Sequence, residues 1–127
     1  MRGEIAFVAL NRPEVGNALD LNLASELSAV LDDVNQNGSI RVVILTGNGT
    51  SFCAGGDVRY LLGTVSEQPG VEVRDFLISL GKPFMKLREL NQPVIAAVNG
   101  PAVGAGFDLL LHCDFRIASQ TAVMGPT

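Results

Sequence analysis

Apolar and polar positions along the chain fall into short blocks whose period changes repeatedly. Within Glu4–Asn11 the run IAFVAL is short and β-favouring, and Arg12-Pro13 and Gly16-Asn17 supply turn-forming residues after it, so it predicts a strand. Behind Asp20, Leu23, Leu27, Val30, Leu31 and Val34 recur near a helical period until Asn35 and Gly38 weaken it. This stripe predicts a helix that Asp20 caps and whose apolar face enters the core. The continuous run Val42–Leu45 then predicts a strand over Arg41–Thr46, in a sheet covered on both faces.

The pattern changes again after FCAGGD at Phe52–Asp57. Val58–Leu62 is expected to begin a short helix, and 64–70, which includes Pro69, reads as an exposed connector. Phe76, Leu80, Phe84 and Leu87 share a helical face, but Gly81 and Pro83 predict a break or bend within Val71–Leu90. Val94–Val98 is a second buried-strand candidate, ended by Gly100-Pro101. A helix is expected over much of Gly106–His112, with Phe107, Leu110 and Leu111 available for packing, and a strand within Cys113–Ala118. Alternating strands and helices predict an α/β layered domain, from which parallel strands are inferred. The chain shows no convincing internal repeat or low-complexity tract.

Composition narrows this picture. With 47% hydrophobic and 17% charged residues, the chain has material for one substantial core and little tendency to disorder. A formal charge of -4, with scattered acids, argues against a broad nucleic-acid surface. The opening MRGEIAFVALNRP is too short an apolar run to cross a membrane and carries Glu4, so no signal peptide or membrane insertion is expected, and a cytoplasmic location is. Cys53 and Cys113 lie far apart and form no CxxC pair, which suits ordinary buried thiols. His112-Cys113 lacks the ligand number and spacing of a zinc site, and no metal is expected.

The candidate chemistry sits in two glycine-rich junctions, FCAGGD and AVGAGFD. Turn construction alone explains their glycines. A second reading is also open: amides exposed at both turns would donate to one developing oxyanion if the turns meet in space.

The stretches NRPEVGNAL (Asn11–Leu19), VVILTGNGTSFCAGGD (Val42–Asp57) and PVIAAVNGPAVGAGFDLLLHCDFRIAS (Pro93–Ser119) resemble the enoyl-CoA hydratase/isomerase, or crotonase, family. They occur in the family's order and cover almost the whole chain. The resemblance implies a crotonase-like ββα spiral core, incomplete relative to the usual fold. Residues 1–127 then form an N-terminal α/β core with no second domain, lacking the usual C-terminal region.

For activity, the resemblance implies an acyl-CoA thioester whose carbonyl is polarised by the backbone N–H groups of Gly56 and Ala105. Ala105 stands where the family more often has glycine, but it keeps its backbone donor. Asp108 falls at the position of a catalytic glutamate, and the partner acid is expected beyond Thr127. No tightly bound cofactor is expected; coenzyme A arrives as part of the substrate, beside Asn17, Ala18, Ala54, Gly55, Gly56, Asp57 and Leu61. Lys82 and Lys86 are candidates for the coenzyme A phosphates if their helix faces that channel, with a solvated surface role as the competing reading. A homotrimer or dimer of trimers is implied at full length. The functions left open are a hydratase/isomerase-type reaction, a non-catalytic coenzyme A-binding or assembly module, and a truncated structural fragment.

Overall fold

The structure, a computed structural model, describes residues 4–56 and 71–126. In chain order it contains β1 (Ile5–Leu10), a 3-10 turn at Pro13–Val15, α1 (Leu21–Gln36), β2 (Val42–Gly47), α2 (Val71–Glu89), β3 (Val94–Val98), β4 (Ala102–Val103), α3 (Ala105–Leu111), β5 (Phe115–Ala118) and β6 (Met124–Gly125). Strands β1, β2, β3 and β5 form a parallel sheet in the order β1-β2-β3-β5, and β4 pairs with β6 in a second, two-stranded parallel sheet. The alternating elements form the expected crotonase-like α/β core, and the inferred parallel direction holds at every strand pair among the described residues. The short helix expected from Val58 and the connector at 64–70 lie outside the described residues.

One face of the large sheet carries the core. Ala6, Val8 and Leu10 of β1, Val43 and Leu45 of β2, and Val94, Ala96 and Val98 of β3 are buried in one cluster. Leu23, Leu27, Leu31 and Val34 of α1 and Leu80 and Leu87 of α2 join that cluster. Asp20 caps α1 as expected, its Oδ1 accepting from Leu23 N at 2.8 Å. Burial of an aliphatic side chain of this size stabilises by about 1.5–3 kcal/mol, so the face of α1 outweighs its single cap.

Four expectations need correction. Among the described residues the sheet is not covered on both faces: β2 alternates buried and half-buried positions, and Phe7 of β1 is exposed. Val30 is exposed, while Ala24 and Ser28 complete the buried stripe of α1, because a helix turns about 100° per residue and Val30 falls past the edge of the face. Leu111 is likewise exposed, leaving Leu109 and Leu110 to bury α3.

The last correction concerns α2, which runs unbroken through Gly81 and Pro83. Proline removes one intrahelical donor and crowds the carbonyl four residues back, here Ser79, at a cost of about 3 kcal/mol or more. Pro83 is fully buried, and Leu80 and Leu87 flank it in the core, so packing offsets the missing bond.

Candidate functional site

The two glycine-rich turns meet. Phe52 N and Cys53 N both donate to Pro101 O, at 3.0 and 3.2 Å, and Val103 N donates to Cys53 O at 3.1 Å. These bonds lay Phe52–Gly56 alongside the chain entering α3. Gly106 makes the approach possible, because a Cβ there would overlap the Cys53 carbonyl oxygen. Gly55 has φ 105°, and a Cβ on it would stand 3.3 Å from Val103 O and 3.7 Å from Ala105 N. A third segment closes the other side, with Ala54 N donating to Gly16 O at 2.9 Å and Leu19 N to Gly55 O at 2.6 Å.

Two asparagines hold this arrangement from beneath. Asn17 is fully buried with φ 60°; its Oδ1 accepts from Arg12 N at 2.7 Å, and its Nδ2 donates to Asn48 O and Ser51 O, each at 3.0 Å. Asn99 Nδ2 donates to Gly49 O and to the same Ser51 O, both at 3.1 Å, while its Oδ1 accepts from Gly47 N at 3.2 Å. The loop before FCAGG is thereby fixed by side-chain amides from two other turns. Sequence reasoning missed Asn99 and read Asn17 as a turn-forming and ligand-side residue, not as a buried anchor of the loop. The available signal was an asparagine next to a glycine at each turn, Gly16-Asn17 and Asn99-Gly100.

Ala105 is the first residue of α3, and the first intrahelical bond runs from Asp108 N to Gly104 O at 3.1 Å. Its N–H is therefore among those a helix cannot satisfy internally. Gly56 is exposed, and among the described residues no protein acceptor is bonded to the N–H of Gly56 or Ala105. A Cβ on Gly56 would lie 3.8 Å from Leu80 Cδ2, which seats Gly56 against a pocket of about 320 Å³. Its walls are two helical faces: Leu77, Leu80, Gly81 and Phe84 of α2, and Ala105, Asp108 and His112 along α3. Ala105 and Asp108 thus line one pocket, and Gly56 lies beside its Leu80 wall.

The remaining expected contacts divide by exposure. Ala54 is exposed, Gly55 and Asn17 are buried, and Ala18 is half-buried with its carbonyl accepting from Arg12 Nη1 at 2.6 Å. Asp57 and Leu61 lie outside the described residues. Lys82 and Lys86 line the groove between α1 and α2 rather than the pocket at Ala105, and Lys86 Nζ binds Asp32 Oδ1 at 2.7 Å. Asp114 ties β5 to β3, its Oδ2 accepting from Val94 N at 2.8 Å and its N donating to Val94 O at 2.9 Å.

Cys53 donates to Asn17 O at 3.2 Å, and burial pushes its thiol up to about 11 against a weaker opposing hydrogen bond with the Gly55 backbone. Burial likewise pushes Cys113 up to about 12, opposed by the Arg116 charge. Both are packing thiols rather than nucleophiles. Among the described residues no group of three or more His, Cys, Asp or Glu is placed to hold a metal ion, and no helix is long and apolar enough to cross a membrane.

Comparison with known proteins identifies the family and the fold. The sequence profile of the enoyl-CoA hydratase/isomerase family matches residues 1–127. The chain is 40% identical over 124 residues to the short-chain-enoyl-CoA hydratase of Clostridium acetobutylicum, a match covering 97% of this chain and 46% of that protein. It is 39% identical over 124 residues to the (E)-benzylidenesuccinyl-CoA hydratase of Thauera aromatica, again covering 97% of this chain and 46% of the relative. A crystal structure of an enoyl-CoA hydratase from Polaromonas sp. JS666 superposes with a TM-score of 0.90 at 37% identity, over 98% of this chain and 48% of that one. The chain therefore spans about half the length of these relatives. By its full-length profile match and its shared fold, the chain belongs to the enoyl-CoA hydratase/isomerase family.

Proposed function

We infer that this chain carries the oxyanion side of an acyl-CoA hydratase/isomerase site. The reading is supported by the pocket that Ala105 and Asp108 line, with Gly56 beside its Leu80 wall and, among the described residues, no protein acceptor bonded to the N–H of Gly56 or Ala105. A thioester oxygen placed between the Gly56 and Ala105 N–H groups would be polarised, and the Asp108 carboxylate would take a proton from the carbon beside the carbonyl. The C–H electron pair then forms the enolate, whose charge rests on the oxygen that the two donors hold. Hydration or double-bond movement needs a second proton-handling group, which the family places beyond this chain's matched span. By the same likeness we propose coenzyme A contacts along Ala18, Ala54, Gly56, Asp57 and Leu61, with Asn17 and Gly55 as their support. We also propose a homotrimer or dimer of trimers at full length, acting in the cytoplasm without nucleic acid.

The test uses exchange rather than net turnover, because exchange needs only one carboxylate. Butanoyl-CoA in deuterated water is followed by NMR for loss of its α-protons. Ala105→Pro removes one donor at the first helical position, where proline is tolerated. Wild type is expected to accelerate exchange, and Ala105→Pro to lose about 100-fold with an unchanged melting temperature. Equal exchange in both would overturn the two-donor reading. Tight butanoyl-CoA binding with no exchange above solvent would favour the non-catalytic module, a reading supported by Asp108 being the one carboxylate among the described residues that line the pocket.

A further inference from the structure

The α3 face that lines the pocket continues past Asp108 to His112, the chain's single histidine. Its Nδ1 lies 2.7 Å from Asp108 O. A carbonyl oxygen only accepts, so Nδ1 carries the hydrogen, and in that tautomer Nε2 is an acceptor. The bond also has a local cause. His112 N donates to Leu109 O and Leu110 O as the helix closes, and the imidazole takes up the Asp108 carbonyl. Phe84 holds the ring from the facing helix, edge to face, with centroids 5.5 Å apart and planes at 66°. Nε2 diverges from Nδ1 across the ring, and among the described residues nothing is bonded to it.

Position along the helix gives this acceptor a meaning. At the helical rise of 1.5 Å per residue, Asp108 stands roughly 4.5 Å and His112 roughly 10 Å along the axis from Ala105. An acyl group whose carbonyl sits at Ala105 N–H, and which follows the cleft between α2 and α3, passes Asp108 near its reacting carbons. It reaches His112 at the length of a medium chain. The facing wall of Leu77, Leu80 and Phe84 offers such a chain only apolar contact. We propose that His112 is a specificity-determining residue that selects medium-chain acyl thioesters bearing a terminal hydroxyl, which donates to Nε2. A site built to hydrogen-bond a hydroxyl discriminates against the analogue lacking it far more strongly than a greasy pocket discriminates by length.

This inference rests on the acyl-thioester reading above, and the experiment separates the two. Calorimetric titrations compare butanoyl-CoA, octanoyl-CoA and 8-hydroxyoctanoyl-CoA on wild type and on His112→Asn, whose side-chain amide can still donate to Asp108 O but lacks the reach of Nε2. Wild type is expected to bind 8-hydroxyoctanoyl-CoA at least about tenfold more tightly than octanoyl-CoA. In His112→Asn that ratio falls to near one, with butanoyl-CoA affinity and melting temperature unchanged. A wild-type ratio near one overturns the proposal without any variant, and so does a ratio that persists in His112→Asn. If His112→Asn does not fold, the wild-type ratio and its loss in His112→Phe, which keeps a ring against Phe84 but has no acceptor, decide. Failure of all three thioesters to bind wild type overturns the acyl-thioester reading, and this inference falls with it.

Discussion

At Gly106 a single hydrogen in place of a methyl group sets the distance between the two turns, since any Cβ there would overlap the Cys53 carbonyl. It would also crowd the Cys53 Cβ, and since neither that atom nor the carbonyl moves with a rotamer change, the backbone itself would have to shift. Gly106→Ala is expected to lower the unfolding free energy by about 1–3 kcal/mol, the usual range for overpacking, measured by urea titration. The buried thiols make a second prediction. Burial holds the folded thiols at about 11 and about 12 against an ordinary 9.0. Below pH 9 both states keep these protons and the thiols add no slope. Above it the unfolded chain releases them first, so stability falls as pH rises until the folded thiols titrate in turn. The slope is about 1.4 kcal/mol per pH unit for each thiol. Urea titrations at pH 8, 9 and 10 should show this decline in wild type and a shallower one in the Cys53→Ala/Cys113→Ala double variant. Identical slopes would show that other groups dominate.

At the scale of elements, local chemistry accounts for what could be read in advance. Asp20 announces α1 because its carboxylate reaches the Leu23 amide, and Asp20→Ala should cost about 1 kcal/mol in the same titration. Val42–Leu45 and Val94–Val98 were legible as strands because β-branched runs bounded by turn residues have few other uses. Pro83 misled because its penalty is local while its compensation, full burial between Leu80 and Leu87, comes from tertiary packing. The site divides in the same way. Gly56, Ala105 and Asp108 were nameable from their motifs, whereas the pocket that Ala105 and Asp108 line depends on α2, whose Leu77, Leu80 and Phe84 carry no chemical signature. His112 was weighed in the sequence only as a zinc ligand and set aside; its place in the pocket wall follows from α3 running on to Leu111 beyond Asp108.

Across the whole molecule, the uneven covering of the large sheet has the widest physical consequence. The pairing register aligns Phe7 with Ile44, Ile44 with Ile95, and Ile95 with Phe115, and it sets Ile117 beside Ala97. Successive strand residues point to opposite faces, so this row lies on the face away from the core. Phe7, Phe115 and Ile117 are 51%, 63% and 68% exposed. Phe115 and Ile117 thus place their apolar area in solvent on the edge strand β5. Contiguous exposed apolar surface binds hydrophobic probes and drives association. The chain is therefore expected to bind an environment-sensitive naphthalene sulfonate dye in its native state and to gain mass with concentration in sedimentation equilibrium. Phe115→Lys with Ile117→Lys should reduce both signals. Because these side chains are solvent-exposed on an edge strand, the melting temperature should barely move, with each change staying within about 0.5 kcal/mol. Unchanged dye binding and association in the double variant would place the sticky surface elsewhere. A large loss of stability would show instead that β5 is held by these side chains and not by its pairing with β3.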